Sequence, residues 1–317
     1  MFTFPKKLNM KSNLCLLFLF IGVISFAQDH NFSETDLNIN NYIDGTLLIP
    51  NNVKKPNLAI IIAGSGPTNR DGNQNFLKNN SLKKLAESIS DQGIATFRYD
   101  KRIIKQIREG NIDENIMFDD FVTDAKSVVE YFLSKKQFHK IYIIGHSQGS
   151  LVGMLAAIDH ADGFISLAGA GQTIDRVITE QITKTAPMFS EDTNRVFNSL
   201  RDGNTISDFP PALGSVFRLD IQRFLMNWMQ YDPKEIIKDL KMPILLINGS
   251  KDIQVSEDEA NLLKDANPKA ELVIIDKMNH ILVPVEGDTL ENTKSYNEPQ
   301  REISPELISA IVSFIEK

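Results

Sequence analysis

The sequence predicts an α/β protein, with a mostly parallel central sheet flanked by helices and a helical cap inserted in it. Three observations predict this. Short, wholly apolar runs bounded by turn residues recur along the chain, as strands covered on both faces require. Between them, apolar residues recur at three- and four-residue steps, the period of a helix buried along one face. From about residue 172 to 238 the alternation stops, and the apolar content is helical with no strand-like run.

The composition agrees. The 317 residues are 42% hydrophobic and 24% charged, with a net charge of −7. Collagen-like, coiled-coil, disulfide-scaffold and disordered chains all need a stronger bias. The one strong local bias is at the amino end. Lys6, Lys7 and Lys11 stand without any acidic residue before an apolar run from Leu14 to Ile24, and Ser25-Phe26-Ala27 places small residues at −3 and −1. This predicts a secretory signal peptide over residues 1–27, cut after Ala27. The 14 residues from Leu14 to Ala27 fall short of the roughly 20 that span a bilayer, so no stable membrane insertion is expected after cleavage. The remaining residues 28–317 are expected to form one domain, secreted or periplasmic. Cleavage removes Cys15, the only cysteine, and three lysines, which takes the net charge from −7 to −10. No disulfide, thiol nucleophile or cysteine-based zinc site is then expected. Nucleic acid, which needs clustered Lys and Arg, is not an expected partner.

In chain order, strands are predicted at Gly45–Pro50, Leu58–Ala63, Ile94–Tyr99, Ile141–Ile144, Pro243–Asn248 and Ala270–Ile275. Phe118, Phe121, Val122, Ala125, Val129 and Phe132 share one helical face. Asp119 and Asp120 lie at that helix's start and Lys135 and Lys136 at its end, as the helix dipole prefers. A last helix starts at Ser304-Pro305, a cap residue followed by proline at the first helical position, and buries Leu307, Ile308, Ile311 and Ile315. The cap segment carries Met188, Phe189, Phe197, Phe217, Phe224, Leu225, Trp228 and Met229. Most of these are expected to pack the cap onto the core.

Chemistry centres on Gly145-His146-Ser147-Gln148-Gly149, a G-x-S-x-G match. A strand runs into it and a helix, Leu151–Ile158, leaves it, the arrangement of a nucleophile elbow that lifts the Ser147 hydroxyl above the sheet. A serine needs a base to take its proton. Of the five histidines, His30 is near the amino end, His139 precedes a strand, His146 is inside the elbow and His160 follows the elbow helix. Only His280 follows the carboxyl end of a strand, where reaction sites of such sheets lie. The orienting carboxylate is expected from Asp252, after the Pro243–Asn248 strand, in the chain order Ser, Asp, His. Asp100 is its rival, although Arg98, Lys101 and Arg102 suggest an ion pair there; Glu257 and Asp258 are further candidates. The oxyanion hole is expected from the backbone N–H of Gln148 and of Ser65 in the Gly64-Ser65-Gly66 loop, with Gly66 as second choice. That loop lacks the third glycine of a dinucleotide fingerprint, and the chain has no P-loop or H-E-x-x-H motif, so no cofactor or metal is expected.

Residues 63–73 (AGSGPTNRDGN), 98–102 (RYDKR), 145–150 (GHSQGS), 230–233 (QYDP), 248–255 (NGSKDIQV) and 278–280 (MNH) resemble bacterial α/β-hydrolases of the serine-aminopeptidase-like group, particularly its small esterases. The match runs from about residue 43 to the carboxyl end and includes residues 296–299. The resemblance implies the α/β-hydrolase fold and carboxylesterase activity on small-molecule esters, and maps Ser147, Asp252 and His280 onto a catalytic triad. The pattern is departed from in two places: Asn69 stands where Asp is usual, and RYDKR continues with Ile103-Ile104 instead of glycine. An aminopeptidase, thioesterase or acyltransferase would use the same triad. An aminopeptidase should also present carboxylates to the substrate's amino group, for which Glu180, Glu191, Asp192 and Asp208 in the cap are candidates. A non-catalytic binding protein on this scaffold is the reading from another class. Met278, Val283 and Pro284, flanking His280, are candidate pocket walls, and residues 285–303 read as a long polar loop.

Overall fold

Eight strands form one sheet in the order β1-β2-β4-β3-β5-β6-β7-β8. The protein's computed structural model describes residues 1, 3, 30–158 and 160–317. But for residues 1 and 3, the expected signal peptide lies outside them. Along the chain come β1 (Phe32–Asn38), β2 (Asp44–Pro50), β3 (Leu58–Ile62), α1 (Ser81–Asp91), β4 (Ala95–Tyr99), α2 (Arg102–Glu109) and α3 (Phe118–Lys135). Next are β5 (Ile141–His146), α4 (Gln148–Ala157) and β6 (Gly163–Leu167), then α5 (Ile174–Thr185), α6 (Ser190–Arg201), α7 (Gly214–Phe217), α8 (Leu219–Trp228) and α9 (Pro233–Asp239). The chain ends with β7 (Ile244–Gly249), α10 (Glu257–Ala266), β8 (Glu271–Ile275), α11 (Thr289–Ser295) and α12 (Pro305–Ile315).

β2 runs antiparallel to β1 and β4, and every other neighbouring pair is parallel. β3 lies between β4 and β5, so chain leaving β3 meets chain leaving β5 at the carboxyl edge, where the strand order reverses. Ligand sites of open α/β sheets form in that crevice. All residues of β3 to β6 are buried. Leu82, Leu85 and Ile89 of α1 and Leu307 and Ile311 of α12 cover one face. Phe118, Val122 and Val129 of α3, Leu151 of α4 and Leu263 of α10 cover the other. The six strands read from sequence are present within a residue or two.

Two strands and four helices escape that reading. β1, with the sequence FSETDLN, is a largely exposed edge strand whose polar side chains face water. β6, with the sequence GFISL, is five residues long, too short to display a period. α1, α2 and α10 were not singled out, and α11 lies inside the stretch read as a polar loop, capped by Asp288 Oδ1, which accepts from the Leu290 and Glu291 N–H groups. The segment between β6 and β7 is helical. Val196, Phe197, Leu200, Leu213, Phe217 and Leu225 form a separate small core there, while Met188 is exposed. Among the described residues no helix is long and apolar enough to cross a membrane.

Candidate active site

The elbow forms because its two glycines leave no room for side chains. A Cβ on Gly145 would lie 2.2 Å from the Gly149 carbonyl oxygen, and one on Gly149 would lie 2.3 Å from that of Ile62. This close contact of α4 with β3 and β5 holds Ser147 at φ 55° and ψ −123°. Such a backbone is costly for a residue with a side chain and persists only where the surroundings over-determine it. Ser147 is half-buried. Gln148 is the first residue of α4, so its N–H is among the helix donors that lack an intrahelical acceptor.

His280 is 4% exposed and lies in the loop after β8. Its Nδ1 donates to Asp252 Oδ2 at 2.7 Å, and the Asp252 side chain is shut off from solvent. Asp252 Oδ1 accepts from the N–H groups of Gln254 (2.8 Å) and Val255 (2.9 Å), so both carboxylate oxygens are engaged. The Asp252 and His280 loops also bond directly, from Lys251 N–H to the Met278 carbonyl at 2.9 Å. Ser147 and His280 line one cavity of about 280 Å³, together with Ser65 and Gly66. Ser147, Gln148 and Ser65 line a second, of about 460 Å³, under the helices that follow β6. The structure thus brings together Ser147, Asp252, His280, Gln148 and Ser65.

The rival carboxylates are elsewhere. Asp100 Oδ1 accepts from the Arg70 backbone N–H and Oδ2 pairs with the Arg70 guanidinium, while Arg108 approaches at 3.3 Å. It is an ion-pair residue, as its surroundings suggested, although its partners are not the adjacent cations. Glu257 and Asp258 stand in the first turn of α10. Asn69 Oδ1 accepts from the N–H groups of Asp71 and Asn73, the local turn that lets asparagine stand in that loop. Ile103, inside α2, lines a third cavity beside the second one. The expected pocket walls Met278, Val283 and Pro284 are corrected by the structure. Met278 and Val283 are buried in the core, and Ile281 lines the His280 cavity instead.

Three residues around the site were not read as functional. Lys101 is buried and donates to the Gly64 carbonyl at 2.9 Å and to Gln148 Oε1 at 2.7 Å, with its ammonium 4.3 Å from the Phe121 ring centroid. It therefore joins the β3 loop to the residue after Ser147, the two sources expected for the oxyanion N–H groups. Burial pushes the Lys101 pKa down to about 7. His146 Nε2–H donates to the His280 carbonyl at 2.8 Å. Burial, aided by the neighbouring His280, pushes the His146 pKa down to about 4, so it is neutral at neutral pH and fixed in that tautomer. Buried Asn279 accepts from the N–H groups of Ile281 and Val283 and donates to Asn292 Oδ1 and Ser295 Oγ, tying the His280 loop to α11. The only sequence signal for these was adjacency to a motif. Among the described residues no group of three or more His, Cys, Asp or Glu is arranged to hold a metal ion.

Comparison with known proteins adds a family and a fold. Residues 79–288 match the family model described as serine aminopeptidase, S33. That span holds Ser147, Asp252 and His280 and begins after the Gly64-Ser65-Gly66 loop. Esterase EstD of Thermotoga maritima is 25% identical over 275 residues, covering 83% of this chain; the chain spans 63% of the length of that relative. Among solved structures, Est1E from Butyrivibrio proteoclasticus superposes with a TM-score of 0.58 at 18% identity, over 90% of this chain and 99% of that one. Pyrococcus horikoshii acylaminoacyl peptidase gives 0.54 at 16% identity, over 92% of this chain and 42% of that one. At such identities the structural likeness carries the fold alone, and one fold carries many activities.

Proposed function

The chain belongs to the serine aminopeptidase S33 family, and on that premise we propose that it is a serine hydrolase cleaving small carboxylic esters through an acyl-enzyme. Ser147 Oγ attacks the ester carbonyl carbon while His280 Nε2 takes its proton. Asp252 holds His280 in the tautomer with Nδ1–H and stabilises the imidazolium. The N–H groups of Gln148 and Ser65 stabilise the oxyanion. As the tetrahedral intermediate collapses, His280 protonates the departing alkoxide. His280 then deprotonates a water that attacks the acyl carbon, releasing the acid and restoring Ser147.

The observation that carries this reading is the buried Asp252–His280 pair opening onto the same cavity as a serine in strained elbow geometry. The esterase name of the Thermotoga relative points the same way. The aminopeptidase reading loses support at its anchor, because among the described residues no Asp or Glu lines either the cavity of about 280 Å³ or that of about 460 Å³. Of its candidates, Asp192 and Asp208 pair with Arg195, and Glu180 accepts from Gln172. Fluorophosphonate labelling that disappears in Ser147→Ala tests the nucleophile, and a labelled native protein removes the non-catalytic alternative. A panel of short esters, thioesters and aminoacyl amides tests the bond cleaved, and faster amide cleavage would sink the esterase reading. We further propose that residues 1–27 are a cleaved leader that directs the enzyme to the periplasm or exterior. Amino-terminal sequencing of the exported protein should begin at Gln28.

A further inference from the structure

Asp252 and His280 come from different loops, one after β7 and one after β8, yet His280 Nδ1 donates to Asp252 Oδ2 at 2.7 Å. A pair that moves a proton needs its two loops set against each other to fractions of an ångström. At their roots the loops are joined by backbone bonds, from the Ser250 N–H to the Ile275 carbonyl and from the Lys251 N–H to the Met278 carbonyl. β8 is the outermost strand, so the sheet supports the His280 loop from one side. On the side of the elbow, His146 bonds the His280 carbonyl.

The bridge nearest the pair comes from α11. Asn292 Nδ2 donates to the Lys251 carbonyl at 2.7 Å, and Asn292 Oδ1 accepts from Asn279 Nδ2 at 2.9 Å. One short side chain thus bonds the peptide unit that enters Asp252 and the side chain of the residue before His280. The amide cannot be turned around. The Ile281 and Val283 N–H groups donate to Asn279 Oδ1, which leaves Asn279 Nδ2 to face Asn292. Asn292 must answer with Oδ1, and its Nδ2 then meets the Lys251 carbonyl, which can only accept. Ser295 Oγ accepts a second bond from Asn279 Nδ2 and donates to the Asn292 carbonyl at 2.6 Å. All three side chains are buried. Buried amides are costly unless paired, and a fully paired network holds its geometry firmly.

On the hydrolase reading above, we propose that Asn292 is a positioning residue of the Asp252–His280 pair, bridging the acid loop to the base loop and so setting the geometry in which Asp252 orients His280. A network that merely fastened α11 could end on any free backbone group of the sheet edge. This one ends on the residues that precede the acid and the base. Asn292 is not among the described residues that line the two cavities at Ser147, so it acts through the pair and not on the substrate. Its loss slows the chemical step and spares substrate binding, because a misplacement of about 1 Å can cost on the order of 10²-fold in rate.

Asn292→Ala removes both bonds of the bridge. Asp288→Ala, which removes only the cap of α11, is the comparison. With a short ester, Asn292→Ala should lower kcat roughly 10- to 100-fold and leave KM within about threefold of native. In proton NMR the His280 Nδ1–H, bonded to Asp252, gives a signal far downfield of the amides, and Asn292→Ala should shift or broaden it. Asp288→Ala should lower the melting temperature, as loss of a cap does, yet keep kcat within about twofold of native and the signal in place. Asn292→Ser, whose hydroxyl is too short to bond both loops, serves should Asn292→Ala not fold. Native kcat with an unmoved signal in the Asn292 variant, or an equal loss of kcat in Asp288→Ala, overturns the positioning role. No turnover by the native protein, with Ser147 unlabelled by fluorophosphonate, overturns the hydrolase reading itself and this inference with it.

Discussion

The carboxyl edge of the sheet and the helices between β6 and β7 both surround Ser147, but they are built differently. At the sheet edge, directional bonds place almost every group: both oxygens of Asp252 are engaged, His146 bonds the His280 carbonyl, and Lys101 bridges Gly64 to Gln148. The helical segment is held mainly by apolar contact. It has its own core around Phe197 and Phe217, and Phe118 stacks on Trp228 with ring centroids 5.5 Å apart. Few side-chain bonds tie it down, among them Gln181 to the Gln254 carbonyl and Asn227 to Asp119. Directional bonds fix positions to fractions of an ångström, which proton transfer requires, whereas apolar packing tolerates substitution of similar volume. The chemistry should therefore be brittle and the acyl preference adaptable.

The contrast breaks most clearly at the nucleophile. Ser147→Ala should lower kcat by about 10⁴-fold or more while leaving thermal stability near the native value, as read by ester hydrolysis and a melting curve. Asp252→Asn preserves shape and allows the wrong histidine tautomer, and should cost roughly 10²- to 10⁴-fold in kcat. A loss under tenfold would mean that the Asp252–His280 bond does not serve catalysis. Lys101→Met keeps the length of the side chain and removes both of its bonds. It should lower kcat on the order of 10- to 100-fold with little change in KM, because an oxyanion hole acts on the transition state. A rise in KM at constant kcat would instead make Lys101 a substrate-binding or purely structural residue.

A fourth expectation concerns pH and stability. His146 has its pKa lowered to about 4 by burial, below its ordinary value of 6.5. Between those values the unfolded chain binds a proton that the folded chain does not, so stability falls as pH drops from 6.5 to 4. The full effect is of order 3 kcal/mol. Denaturant midpoints at pH 7 and pH 4.5 should separate less in His146→Gln than in the native protein. The smallest effect should come from the apolar side. Phe224 lines both the 460 Å³ cavity and the adjoining 370 Å³ cavity. Phe224→Ala should join them and shift the preferred acyl chain to greater length, by about fourfold in relative kcat/KM for each extra methylene accommodated. An unchanged chain-length profile would show that the acyl group does not use that side.

What was legible beforehand follows local physics. Apolar runs bounded by turn residues located six strands, because a strand covered on both faces needs no alternation and little context, and β8, though a partly exposed edge strand, still carries such a run. Ser147 was legible because its strained turn demands a local pattern, with Gly145 and Gly149 at positions where a Cβ collides with backbone. His280 and Asp252 followed from their places after strand ends. β1 was hidden because an edge strand buries little, and β6 because five residues set no period.

The amino-acid sequence by itself determined the α/β architecture, the elbow, and the candidates Ser147 and His280, now found on one cavity, and Asp252, now found bonded to His280, since each leaves a pattern within about ten residues. Only the tertiary structure decided the pairing of Asp100 with Arg70, the bridging place of Lys101, the bond from His146 to the His280 carbonyl and the cavity wall that includes Tyr296. The reason is distance along the chain. Lys101 bonds residues 37 and 47 positions away, and His146 bonds one 134 positions away. Such contacts exist only once the sheet has brought its strand ends to one edge, and burial, which shifts the pKa of both groups, comes with the same step.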